Sequence, residues 1–354
     1  VTAGIERRVV VIGGGITGAF AAYFLARDGA RVTLLERDGV AAHASGANPG
    51  GLNPLHGPGI PGPLQELALA SFRLNLEHWE EIGRRSGIDF AGRLVARIHV
   101  ALDDEEAGAL AALGELHNAT AGCSAQLLSG AELREREPRI SADAVAGLLV
   151  TGNGCVDPGA YTRAVAAASG ARVAAAEATG LRTKSERVTG VLAGAETIDC
   201  DGVVVACGPW TDGPADWLGV ELPVEPVKGE LLLVAPESGQ PLASDVSRRE
   251  AGAYTTAGEG IWLGGIEERA GFDETPTAEG RESILGKIEA LLPGLGPVRV
   301  LDHVAALRPA TPDGMPIVEA SPLLENACVA TGGGRKGMLL GAALGKAAAE
   351  ALAA

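Results

Sequence analysis

The chain has 354 residues, 46% of them hydrophobic, which is enough apolar surface for a sizeable core and excludes a disordered polymer. Its 29 basic and 45 acidic side chains leave a formal charge of −16, the wrong sign for a nucleic-acid binder or for a protein drawn to anionic membrane surfaces. Five dispersed cysteines without a CxxC pair suit reduced thiols in a cytoplasmic protein rather than a disulfide frame or a zinc site.

Residues 9–12 form a continuous β-branched run, the pattern of a strand buried on both faces. Glycines follow, then a helical pattern to about residue 28, then a second strand over 31–35 ending at Glu36. Residues 39–63 are rich in Gly, Pro and Asn; a loop this long inside a compact domain is usually functional. Leu64, Leu67, Leu69, Phe72, Leu76 and Trp79 recur at helical spacing. A strand over 92–102, a helix over 103–118 and a short charged helix over 130–138 follow. A second block predicts a helix over 158–168, a strand over 171–176, a hairpin of 186–193 with 196–199, and a buried strand over 203–206. Beyond Pro223 the pattern is strand-rich (227–234, 252–256, 261–265), followed by a helix over 277–291 and a strand over 298–305. A last short strand over 328–330 leads to three glycines and an Ala/Gly-rich terminal helix. That helix carries Lys346 and Glu350 and reads as buried in protein, and no run has the length and flanks of a membrane span or signal peptide.

Gly13-x-Gly15-x-x-Gly18 sits between strand and helix, with Glu36 eighteen residues on at the end of the next strand. The glycines allow a tight turn, close approach of a pyrophosphate and close helix–strand packing; the helix N-terminus offers free N–H groups to phosphate, and the acid can accept from ribose hydroxyls. There is no second fingerprint, because Gly332-Gly333-Gly334 lacks the final spaced glycine, so one dinucleotide is implied.

Further motifs run through the chain: Ser45-Gly46-Ala47-Asn48-Pro49-Gly50-Gly51, Gly154-Cys155-Val156-Asp157-Pro158, Val204-Val205-Ala206-Cys207-Gly208-Pro209-Trp210, Pro226-Val227-Lys228-Gly229-Glu230, Leu307-Arg308-Pro309-Ala310-Thr311-Pro312-Asp313-Gly314, and Ala330-Thr331-Gly332-Gly333-Gly334-Arg335-Lys336-Gly337. In this order they resemble the FAD-dependent D-amino-acid oxidase superfamily, nearest its glycine oxidase and sarcosine oxidase branch. The resemblance implies an α/β fold: a Rossmann-type FAD-binding domain (1–80, 145–222 and 306–354) interleaved with a smaller α+β substrate domain on a mixed or antiparallel sheet (81–144 and 223–305). It implies FAD contacts at Gly13, Gly15, Ile16, Thr17, Gly18, Glu36 and Arg37; at Ser45, Gly46, Gly50, Gly51 and Leu52; at Ala178, Ala206, Cys207, Gly208 and Trp210; and at Arg308, Gly333, Gly334, Arg335, Lys336, Gly337 and Met338. Some relatives attach flavin covalently through a histidine. Asn48 stands at the position nearest to it, so non-covalent FAD is expected, and the six histidines show no metal-site spacing.

The resemblance further implies that Arg308 grips the carboxylate of an amino-acid substrate, as a bidentate guanidinium can, and that Tyr254 closes the substrate pocket. The expected reaction is oxidative deamination or N-demethylation of a small amino acid or amine, by hydride transfer to the flavin and reoxidation by O2. Homo-oligomers are compatible with this, and no nucleic-acid partner is expected. A flavin dehydrogenase of amines or 2-hydroxy acids feeding a quinone, the FAD domain of a tRNA-modifying enzyme, and a non-enzymatic flavin-binding subunit are the competing readings.

Overall fold

The computed structural model describes residues 7–249, 251–258 and 260–353. Residues 1–6, Glu250, Glu259 and Ala354 belong to the expected spans 1–80, 223–305 and 306–354 and lie outside the described residues.

Strand Arg8–Ile12 (β1) leads through helix Ile16–Arg27 (α1) to the parallel strand Arg31–Glu36 (β2), with Val9 beside Val32 and Ile12 beside Leu35. The six-stranded sheet runs in the order Ile317–Ala320, Ala327–Thr331, Gly202–Val205, β1, β2, Arg172–Ala175, parallel except for its first pair. Both faces are covered, so Val9 to Ile12 and Val203 to Val205 have almost no solvent contact, which is why these strands read as unbroken β-branched runs.

The terminal helix Gly337–Ala353 packs along α1. Its glycines set the approach: a β-carbon on Gly345 would lie 2.5 Å from the Ala21 nitrogen, and one on Gly341 would lie 2.8 Å from Ile16 Cγ1. Polar side chains then lock its first turns to helix Gln65–Ser86. Ser71 Oγ donates to the Leu339 carbonyl at 2.6 Å and accepts from the Ala343 N–H at 3.1 Å. The Asn75 amide donates to the same carbonyl at 3.1 Å and accepts from the Tyr161 hydroxyl at 2.8 Å. All three side chains are fully buried and satisfied.

The second sheet is larger. Its order is Val298–Ala310, Glu225–Pro236, Ile261–Gly264, Ala251–Thr255, Asp245–Arg248, Arg93–Ala101, Ala146–Cys155, Gly51–Leu52, with Ser124–Ser129 also on Ala146–Cys155. Most pairs are antiparallel, while Asp245–Arg248 runs parallel to Arg93–Ala101. Alternation divides this sheet into two faces. Leu232, Ala253 and Leu263 bury against Ile284 and Ile288 of helix Ala278–Leu291. Gly229, Leu231, Gly252, Tyr254 and Gly264 face the other way and line a cavity together with Ala306 and Arg308, except that Gly252 lies beneath the Tyr254 ring. A small third sheet joins Ala178–Lys184, Arg187–Ala193 and Glu196–Asp199.

The architecture is therefore α/β, a Rossmann-type sheet beside a mixed, mainly antiparallel one. Three stretches within the expected cofactor-binding spans, Gly51–Leu52, Ala146–Cys155 and residues 306–310, pair into the larger sheet. They are the seams where the chain passes between sheets. The strand expected over 298–305 continues to Ala310, with Arg308 opposite Val227 and Pro309 opposite Pro226. Proline is tolerated there because this is the sheet's edge strand. Strands Gly51–Leu52, Ser124–Ser129, Ala146–Cys155, Ala178–Lys184, Asp245–Arg248 and Ile317–Ala320 were not expected; Ala178–Lys184 forms a tight hairpin with Arg187–Ala193, whereas Ser124–Ser129 and Ala146–Cys155 take their pairing from strands remote in sequence.

Candidate functional site

A cavity of about 820 Å³ is lined from both sheets. Its first wall is the turn after β1. Gly13 has φ 107°, and a β-carbon there would collide with the Ala206 carbonyl. A β-carbon on Gly18 would strike the Gly13 carbonyl, so Gly18 brings α1 against the turn and does not line the cavity. Glu36 is fixed at the lip, its two oxygens accepting from the Gly14 N–H at 2.6 Å and the Asp38 N–H at 2.8 Å. At the start of α1 the Ile16 N–H donates to Ser45 Oγ at 2.9 Å. Gly13, Gly15, Ile16, Thr17, Glu36 and Arg37 all line this end. A bare glycine turn, a helix N-terminus and a terminal acid in one cavity wall fit a dinucleotide.

The loop over 39–63 forms the next wall. Ser45 and Gly51 line it; Gly46 and Gly50 do not, because their α-carbons press on the carbonyls of Ala41 and Val156, and Leu52 is fully buried in the core. The Asn48 side chain is consumed by its own loop, donating to Ala44 at 2.9 Å and accepting from Gly50 at 2.8 Å. Ala178, Ala206, Cys207, Gly208 and Trp210 face the cavity from across the sheet. Burial, reinforced by Glu36, pushes the Cys207 thiol up to about 12, so it stays neutral and unreactive.

Trp210 is clasped at the mouth by the His43 ring at 4.6 Å, the Phe272 ring at 5.9 Å and the Arg37 guanidinium at 5.4 Å. His43 bridges the two sides of the molecule, with Nδ1 at 2.7 Å from Glu274 and Nε2 at 3.0 Å from Asp38. Burial opposes its charge, but the two carboxylates outweigh it and raise its pKa.

The far end rests on the larger sheet, whose floor is bare. A β-carbon on Gly229 would collide with the Arg308 guanidinium, and one on Gly252 with the Tyr254 hydroxyl. Glycine thus lets both long side chains lie flat. Arg308 Nη1 donates to Glu267 at 2.9 Å, and Arg335 Nε reaches the same oxygen at 3.5 Å. Two guanidiniums therefore share one carboxylate. Gly333, Gly334, Arg335, Lys336, Gly337 and Met338 complete this wall at the start of the terminal helix. Lys336 is buried, with Nζ donating to the Asn53 carbonyl at 2.7 Å and to the His56 carbonyl. Burial, and then repulsion by Arg97 and Arg335, push it down to about 7.

Sequence reasoning did not single out Arg97, Asn53, Ser247 or Glu267, all of which line the cavity, and saw His56 only as a loop residue. Arg97 carried a usable signal: it is charged, two residues from His99, in a strand that is otherwise largely apolar. Among the described residues no cluster of His, Cys, Asp and Glu could hold a metal ion, and no helix is long and apolar enough to cross a membrane.

The family model described as DAO, FAD dependent oxidoreductase, matches residues 8–351. Glycine oxidase from Pseudomonas putida is 28% identical over 355 residues, covering 95% of this chain and 92% of that protein. A D-amino acid dehydrogenase from Methylobacterium nodulans is 30% identical over 398 residues, covering 97% and 94%. The crystal structure of glycine oxidase from Geobacillus kaustophilus superposes with a TM-score of 0.90 at 27% identity, covering 98% of this chain and 95% of that one. The chain belongs to the FAD-dependent oxidoreductases of the DAO family.

Proposed function

We propose that this FAD-dependent oxidoreductase carries out oxidative deamination, or N-demethylation, of a small amino acid or secondary amine, with O2 as the terminal acceptor. The observation that carries the reading is the sharing of Glu267 by Arg308 and Arg335 over a glycine floor beside Tyr254. That arrangement leaves one guanidinium charge uncompensated, which is the place for one substrate carboxylate.

In this reading non-covalent FAD is held by the segments 1–80, 145–222 and 306–354. The turn Gly13–Gly18 and the start of α1 take its phosphates, and Glu36 its ribose. The 45–52 loop and Gly333–Met338 take its ring system. When bound, FAD supplies a two-electron acceptor for the C–H bond next to the substrate amine. Arg308 orients the carboxylate through paired N–H donors, and the Tyr254 hydroxyl donates to it from the side. Leu231, Ile266 and the glycine floor keep the reacting carbon dry. Glu267 is engaged by two guanidiniums, so the substrate amine gives its proton to solvent first. The value of kcat/KM accordingly rises with pH through the substrate's own amine pKa.

Arg308→Ala is expected to cost roughly 2–5 kcal/mol in kcat/KM, mostly through KM; an unchanged kcat/KM would remove Arg308 from substrate binding. The D-amino acid dehydrogenase relative favours a second reading, in which a quinone or another carrier replaces O2. Peroxide formed stoichiometrically in air supports the oxidase; dye reduction without peroxide supports the dehydrogenase. The five unpaired cysteines suit a reducing, cytoplasmic setting.

A further inference from the structure

Arg97 lies on the same sheet face as Tyr254. Asp245 pairs with Arg97, Ser247 pairs with both His99 and Gly252, and residues 252 and 254 share a face. The Arg97 guanidinium carbon stands 5.2 Å from the Tyr254 ring centroid. On the other side of Tyr254, Arg308 lies over Gly229. The strands carrying Gly229 and Arg97 are separated by four strand spacings, about 19 Å at ~4.8 Å each, and both long side chains reach inward across that gap. Tyr254 therefore stands between two arginines that both line the cavity.

Arg97 is 3% exposed. Its Nη2 donates to Asp245 at 3.0 Å, and with the Asn53 amide oxygen turned toward it, Nη1 and Nη2 reach that oxygen at 3.0 and 3.2 Å. Its Nε, buried in the cavity wall, has no partner. Asp245 is already committed elsewhere, its other oxygen accepting from the Thr255 N–H at 2.8 Å and hydroxyl at 2.9 Å. Around the cavity end the guanidiniums Arg97, Arg308 and Arg335, and the Lys336 amine whose charge burial weakens, face the carboxylates Asp245 and Glu267, so basic groups outnumber acidic ones. The same surplus holds His56 neutral: burial, then Arg97 and Lys336, take it down to about 3. A single substrate carboxylate at Arg308 leaves the buried Arg97 Nε without a partner.

We propose that Arg97 forms a second anion subsite, so that the preferred substrate is an amino acid with a second carboxylate, its α-carboxylate on Arg308 and its distal carboxylate on Arg97. The proposal rests on the amino-acid reading above and narrows it to acidic substrates. Arg97 touches substrate but not the reacting carbon, so it governs selectivity. Lys336, at the start of the terminal helix, and the neutral His56 ring, packed near His99, border the subsite.

The test is binding of non-oxidisable probes to the FAD-loaded protein, read as perturbation of the flavin absorbance. Succinate is expected to bind at least about tenfold more tightly than propionate, and Arg97→Met to abolish that preference while moving propionate less than about threefold. Arg97→Lys should retain part of the preference, since the charge is kept. Because Arg97→Met strands a buried carboxylate, the double variant Arg97→Met/Asp245→Asn provides a neutral background in which the preference must also vanish. Equal binding of succinate and propionate by the unmodified protein would overturn the subsite. So would an Arg97→Met protein that weakens FAD but keeps the preference, since Arg97 would then serve the cofactor. A separate arm compares flavin reduction by the enantiomers of aspartate and alanine. Reduction by alanine alone overturns the subsite and leaves amino-acid oxidation standing, whereas succinate selectivity without reduction by any amine overturns the oxidation and leaves the subsite.

Discussion

His43 and Lys336 both border the cavity, and their protonation works in opposite directions. The pKa of His43 is raised, since Asp38 and Glu274 outweigh its burial. Its bridge between the cofactor loop and the 265–277 segment is complete below the unfolded value of about 6.5 and is lost as pH rises through the higher folded value. Lys336 is lowered to about 7. Between that value and about 10.4 the unfolded chain holds a proton that the folded chain does not, so stability rises with pH across this window. In the unmodified protein the two slopes offset each other where they overlap. Melting temperatures against pH should separate them: Lys336→Met flattens the alkaline rise, and His43→Gln removes the loss that begins near neutrality. A Lys336→Met protein with an unaltered pH profile would show that Lys336 keeps its proton in the folded state.

At the scale of elements, close backbone approach does most of the positioning. The terminal helix seats on α1 because Gly341 and Gly345 present no side chain at the crossing. Gly345→Ala places a methyl against the Ala21 backbone, which cannot yield as a side-chain tip can. A loss of about 1–3 kcal/mol is expected, read from denaturant unfolding. Since that helix carries Gly337 and Met338 to the cavity, FAD affinity should fall with it; a variant as stable as the parent would mean that the two helices part without cost. The glycines at 229 and 252 play the same part beneath Arg308 and Tyr254. Local sequence made several of these elements readable. The β1–α1–β2 unit is contiguous, so its glycines, strand pattern and terminal acid could be read together. The continuation of the edge strand through Arg308 to Ala310 was not readable, because proline ordinarily ends a strand and the pairing to Glu225–Pro236 is remote.

For the whole molecule, the cavity joins the amino-terminal turn to the glycine triplet before the last helix, as the motif order implied. What the motifs could not convey is which charges meet inside it. Arg97 with Asp245, His43 with Glu274 and Lys336 with the 53–56 loop are contacts between segments roughly 150 to 280 residues apart, or more. In the proposed reading these contacts govern selectivity, whereas the motifs mark the cofactor class. The proposed amino-acid oxidation rests on both levels, and anaerobic flavin reduction tests it most directly. The purified yellow protein, mixed without oxygen with glycine, sarcosine, proline and the D- and L-amino acids, should lose its long-wavelength flavin absorbance with at least one of them, acidic members fastest. A flavin that dithionite bleaches and no amine does would contradict the account.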